Sequence, residues 1–107
     1  MLLFSKYLFH PNFNAIAIWP FIILKNKSLK DNSILINHEK IHLQQQKEML
    51  WLLFFIWYLV EFLVKLIIFK EAMIVYKNVS FEREAYANEF DKYYLKDRKF
   101  WNFLKYL

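Results

Sequence analysis

The sequence predicts a mostly helical α+β fold, and three observations carry that reading. The run His38-Glu39-Lys40-Ile41-His42 lies within a stretch of helical periodicity, Leu50 to Phe69 is almost wholly apolar, and Ala15 to Leu24 is rich in branched and aromatic residues. The chain has 107 residues, one domain's length spanning 1–107. That is enough to bury a modest core.

Residues 1–13 are apolar and aromatic without a clear period, and His10-Pro11-Asn12 reads as a turn. Ala15 to Leu24 (AIAIWPFIIL) reads as a short strand. Pro20 cannot donate to a sheet ladder, which makes this an edge strand or a hairpin arm. Lys25 to Ser33 is a polar loop. With no glycine in the chain, Asn26, Asn32 and Asn78 are the residues best suited to left-handed turns. From Ser33 a helix begins, which Asp31, Asn32 or Ser33 can cap. Leu35, His38, His42, Gln45 and Met49 then recur at helical spacing and share one face.

Leu50 to Phe69 is interrupted only by Glu61 and Lys65, an i,i+4 pair in the favourable order. Lys70 to Val79 is mixed and ends in a turn at Lys77-Asn78. Ser80 caps a second amphipathic helix, FEREAYANEFDKYYLK, with Glu82, Ala85 and Glu89 on one face. The tail from Asp97 packs back as a terminal turn or helix.

Composition narrows the function classes. Without cysteine there is no disulfide and no thiolate metal site, so a metal must be held by His, Asp or Glu. The net charge is +5, but the lysines are spread along the chain. Lys92, Lys96, Arg98, Lys99 and Lys105 form a loose cluster among aromatics, better read as a solvated helix face than as a nucleic-acid footprint. The first residues lack the long apolar run and small-residue cleavage site of a signal peptide. The expected location is the cytoplasm or a membrane surface.

The chemistry centres on HEKIH. Two histidines at i and i+4 on a helix project their imidazoles one turn apart and span one metal, most naturally zinc. Glu39, about 100° round the helix, is too far round to be an equal ligand but reaches a water that the metal polarises. The motif therefore assigns His38 and His42 as ligands and Glu39 as general base. A zinc site of this kind needs a third protein ligand and an open fourth position. Glu82, Glu84, Glu89, His10 and Asp31 are the candidates.

The segment Glu82-Arg83-Glu84-Ala85-Tyr86 resembles the Glu-x-x-Ala-Asp or Glu-x-x-Ala-Asn signature of the gluzincins, a class of zinc metallopeptidases. The resemblance implies Glu82 as the third ligand and Ala85 as the small residue that lets the second helix pack closely on the first. Tyr86 stands where many relatives carry an Asp or Asn that contacts a zinc-binding His. Gln45, Asn88 or Glu89 are left for that supporting role. NHEKIHLQQQKEML and SFEREAYANE also resemble a group of short uncharacterised bacterial proteins that look like minimal gluzincins. That similarity runs from residue 37 to about 90.

Peptide-bond hydrolysis of a peptide or protein substrate is the expectation, with zinc as cofactor and Tyr86, Tyr76 or His10 as candidate oxyanion donors. Two rivals are a non-catalytic zinc-binding or scaffold protein and a small membrane-associated protein whose histidines are incidental. As a helix, Leu50 to Phe69 measures about 30 Å, the thickness of bilayer hydrocarbon. A single span would separate His38 and His42 from Glu82, so the segment is read as a buried or membrane-surface helix. A straight helix through residues 33–69 would also carry Phe69 about 40 Å from His42. A bend or break between Gln46 and Leu50 is therefore required.

Overall fold

The computed structural model describes residues 2–5 and 13–107; the expected turn at His10-Pro11-Asn12 lies outside them. Among the described residues, three short strands and five α-helices follow one another in an α+β arrangement dominated by helix. Strand β1 (Leu2–Phe4), for which the sequence showed no periodic signal, pairs in parallel with β3 (Phe21–Leu24). β3 pairs antiparallel with β2 (Ala15–Ile18), giving the order β1-β3-β2. The expected strand is thus a hairpin, with Pro20 in its turn, and β2 is a sheet edge.

The loop after β3 holds a 3-10 turn, Lys27–Asp31, and leads into helix α1 (Ser33–Glu48). Asn32 is the cap of α1: its side chain accepts from Leu35 N–H. The buried side of α1 carries Asn37, His38, Glu39, Ile41, His42, Gln45 and Gln46.

The required break falls at Leu50. Leu50 N–H bonds to Lys47 O and Trp51 N–H reaches back to Gln46 O, the two bonds of a Schellman motif. Leu50 takes the left-handed position with φ 52°, where glycine is usual. The other positive-φ residues are Trp51, Lys70 and Trp101. The asparagines expected at left-handed turns are not among them; Asn26 and Asn32 are extended helix-capping residues.

Helix α2 (Leu52–Phe69) follows, ended by Lys70 in the αL conformation. It has a mean hydropathy of 2.4 and is the one helix among the described residues long and apolar enough to cross a membrane. The segment expected to be mixed in character forms α3 (Ala72–Asn78), which packs on α2. Lys65 Nζ bonds to Asn78 O, and the Glu61 carboxylate accepts from Ser80 N–H and Oγ–H. The chain therefore runs back along α2, antiparallel to it. Ser80 does not cap helix α4 (Ser80–Asn88) by itself; a carboxylate from α2 supplies the cap.

α4 packs against α1 and is backed by the 3-10 turn Asn102–Tyr106, so the tail folds back as the sequence predicts. A short helix α5 (Tyr94–Asp97) lies between them. The core gathers Met49, Phe54, Val79, Phe81 and Phe103, flanked by Phe55, Trp57, Tyr58, Phe62 and Trp101. It is rich in aromatic pairs, such as Phe81–Phe103 with ring centres 4.5 Å apart.

Candidate metal centre

His38 and His42 project from the buried face of α1, and Glu82 comes from the first turn of α4 opposite them. All three are buried. His42 Nε2 lies 2.9 Å from Glu82 Oε1 and 3.2 Å from His38 Nε2; His38 Nε2 lies 3.2 Å from the same oxygen. Ligands held about 2.0–2.1 Å from a tetrahedral zinc stand about 3.3 Å apart. Three donor atoms so spaced can share one metal ion, and the group could hold one.

The protons around the group favour that arrangement. Gln45 Nε2 donates to Phe81 O at 3.1 Å and to Glu84 Oε1 at 2.8 Å. Its Oε1 is thereby turned to His42 Nδ1, 2.8 Å away. A carbonyl accepts, so Nδ1 carries the proton and Nε2 presents its lone pair to the centre. Burial by itself lowers the affinity of His42 for a second proton, but the Glu82 carboxylate overrides it and, with Glu39 and Gln45, raises the imidazole pKa to about 9. Burial likewise disfavours ionised Glu82, yet the facing imidazoles of His42 and His38 hold it well below the usual carboxylate range. A cation held at the centre would take the place of that extra proton.

The other acids are sorted by geometry. Glu89 Oε2 is 3.8 Å from His38 Nδ1, near the ring nitrogen turned away from the centre. Glu84 faces the other way and is held by Arg98, Tyr94 and Gln45. Asp31 is exposed at the end of a 3-10 turn, outside the group. His10 lies outside the described residues. Of the three residues considered for the supporting role, Gln45 serves His42 and Glu89 flanks His38. Asn88 bonds instead to Glu84 O and Tyr106 Oη. Ala85 is fully buried on the α4 face shared with Glu82, which allows the close approach of α4 to α1.

Glu39 is buried beside the two histidines, and desolvation raises its pKa above the ordinary carboxylate value against the lowering effect of His42 and His38. It shares with His42 and Glu82 the wall of an open cavity of about 530 Å³. β2 forms another wall, through Ala15, Ile16, Ala17 and Ile18, and Phe54, Phe55 and Tyr58 of α2 a third. Of the two tyrosines weighed as oxyanion donors, Tyr76 lines the cavity, while Tyr86 packs edge-on against His38 with ring centres 4.5 Å apart.

Sequence reasoning missed three residues. Tyr58 Oη donates to Glu82 Oε2 at 2.9 Å and so satisfies the second oxygen of that carboxylate. Asn37 Nδ2 donates to the carbonyls of Glu89 and Asp91 at 2.9 Å, tying the start of α1 to the end of α4. Gln46 Nε2 donates to Ala17 O at 2.8 Å while its Oε1 accepts from Trp19 N–H at 2.6 Å, pinning β2 to α1. Polar amides recurring in a helix that otherwise buries its face were the available signal for Asn37 and Gln46. Tyr58, inside an apolar run, carried none.

No protein-family model matches the chain, and no curated protein or solved structure is significantly similar to it.

Proposed function

We propose that the protein is a zinc-dependent metallopeptidase of minimal gluzincin type. The observation that carries this reading is the convergence of His38, His42 and Glu82 on one point, with the Glu39 carboxylate beside them on the wall of an open cavity. A purely structural zinc site is closed by four protein ligands, whereas this one offers three and opens to a cavity. Bound zinc would supply the Lewis acidity that activates water and polarises a carbonyl.

The chain's own residues do the rest. Glu39, with its proton affinity raised by burial, takes the proton of the attacking water and passes it to the leaving amine. Gln45 holds His42 in the tautomer that leaves Nε2 free, and Tyr58 keeps Glu82 oriented. β2 supplies the substrate rail. Lys25 N–H bonds to Asn14 O, so by alternation the backbone groups of Ala15 and Ala17 point to the outer edge. Gln46 occupies the far end of that edge at Ala17 O and Trp19 N–H. An extended peptide adds along the remainder by main-chain hydrogen bonds. The apolar cavity walls suit hydrophobic side chains on that peptide.

The test is metal content joined to activity. Protein purified without added metal is expected to hold about one zinc per chain by elemental analysis, consistent with a single three-ligand site. His38→Ala should lose it. Glu39→Gln should keep the zinc yet lose hydrolysis of quenched fluorescent peptides by about 100-fold or more. Zinc unchanged in His38→Ala would end the proposal. Full activity in Glu39→Gln would remove the catalytic reading and leave a metal-binding scaffold.

A further inference from the structure

Helix α2 has two unlike sides. Its inward side carries Phe54, Tyr58, Glu61 and Lys65, which pack on the core, bond to Glu82 and cap α4. Both charges of the helix are thus directed into the protein. On the opposite side Leu52, Leu53, Ile56, Leu59, Val60, Leu63, Val64 and Ile67 are all exposed. At 100° per residue they fall within an arc of about 140° and run for about 24 Å. No charged residue interrupts this stripe. Exposed lysines stand beyond each end of the helix, Lys47 before it and Lys70 after it.

Two ordinary reasons for so apolar a helix do not apply. A core helix would be mostly buried, whereas only Phe54 and Glu61 of this one are, and a leader would lie near the N-terminus. Eight contiguous aliphatic side chains about half exposed exceed what soluble monomers present in one place.

We infer that the outward stripe of α2 docks on a lipid bilayer, with the helix lying in the plane of one leaflet. Hydrocarbon is the occupant that asks for no hydrogen-bond or charge partner anywhere along the stripe, and the surplus of +5 favours anionic head groups. A transverse span does not fit. α3 packs along the inward side and α4 is joined to it through Ser80–Glu61, Glu82–Tyr58 and Phe81–Phe54, and a span would carry their exposed charges, Lys77 and Arg83, into the bilayer core. In the plane, the same packing keeps the metal centre on the protein side of α2 with the stripe in the acyl region. The inference is independent of the metal chemistry, since it uses none of the ligands.

The experiment is flotation of the full chain with vesicles of phosphatidylcholine and phosphatidylglycerol, with and without Leu59→Glu/Leu63→Glu. The wild-type chain is expected to float, more so as the anionic fraction rises, and the double variant to lose at least tenfold in bound fraction while keeping its circular dichroism. The absence of cysteine permits a second readout. A polarity-sensitive dye on Leu63→Cys should shift to the blue on vesicle addition, and the same dye on Lys40→Cys should not. Failure to float, or flotation unchanged by the double variant, overturns the inference. So does a lipid-free dimer that the double variant dissociates while vesicles bind neither form, for then a second copy covers the stripe. Chelation of metal leaves the expected flotation unchanged, which separates this outcome from the fate of the peptidase reading.

Discussion

At the scale of single residues, the centre depends on groups that never touch the metal position. Gln45 is the most constrained of these, because it is fully buried and each of its polar atoms has a named partner. Replacing it by leucine frees the His42 ring to turn and removes one donor each from Glu84 Oε1, which keeps Arg98, and from Phe81 O. Loss of such a supporting partner typically weakens metal binding by about 10–100-fold. Gln45→Leu should therefore show that loss in competition with a chromophoric chelator, with His38, His42 and Glu82 all intact. Affinity equal to wild type would mean that the imidazole is held by packing alone. Tyr58 plays the matching part for Glu82, and its own proton is retained because burial and the adjacent carboxylate both raise its pKa.

At the scale of elements, the turn between α1 and α2 and the start of α4 decide whether the ligands meet. The Schellman turn places a leucine where a left-handed residue is required, and that leucine is 86% exposed. A side chain that packs on little and opposes the backbone conformation is a cost without return. Leu50→Gly should accordingly raise stability by about 1 kcal/mol, read as a higher denaturant midpoint at unchanged slope. A lower midpoint would show that Leu50 makes a contact worth more than the backbone strain. The start of α4 is governed from α2: Glu61 accepts from Ser80 N–H and Oγ–H and pairs with Lys65 Nζ at 2.8 Å. Glu82 is two residues further on. The charge pair that interrupts the apolar helix is thus the device that sets the ligand helix in place.

At the scale of the whole molecule, the C-terminal segment is stitched to the centre through charge. Arg98 bonds to Glu84 and Glu48, and its side chain is 1% exposed. It is the member of the basic C-terminal cluster that is not a solvated cation. Burial disfavours the Glu84 carboxylate, but Arg98, Tyr94 and Gln45 hold its pKa below the ordinary 4.5. A carboxylate lowered on folding stabilises the fold above its unfolded value, and that contribution fades as pH falls through 4.5 toward the lower folded value. Arg98→Met should cost about 3–5 kcal/mol at pH 7, because it leaves Glu84 and Glu48 buried without their cation. The deficit against wild type should shrink on acidification to about pH 4, where protonation relieves the orphaned Glu84 carboxylate. Denaturant titrations at the two pH values test this; a deficit that is equal at both would mean that Arg98 acts through packing.

Much of the centre was legible before any fold was known. His38, Glu39 and His42 are neighbours in the chain, and a helix alone brings them to adjoining positions, so local periodicity determined their arrangement. The α+β class, an extended segment at 15–24, the polar loop and the amphipathic helix bearing Glu82 followed from patterns of the same short range. The break at Leu50 was legible as a necessity of chain length but not as a place, since no glycine or proline marks it. What lay out of reach was everything that joins distant segments. The capping of α4 by Glu61, the bonds from Tyr58 to Glu82 and from Gln46 to β2, the third strand at Leu2–Phe4 and the inward turn of Arg98 arise only when separate elements pack. HEKIH by itself determined two imidazoles one helical turn apart with a carboxylate beside them. Only the tertiary structure brought Glu82 within 2.9 Å of His42, because the chain reverses at Lys70 and returns along α2 to a helix that α2 itself caps.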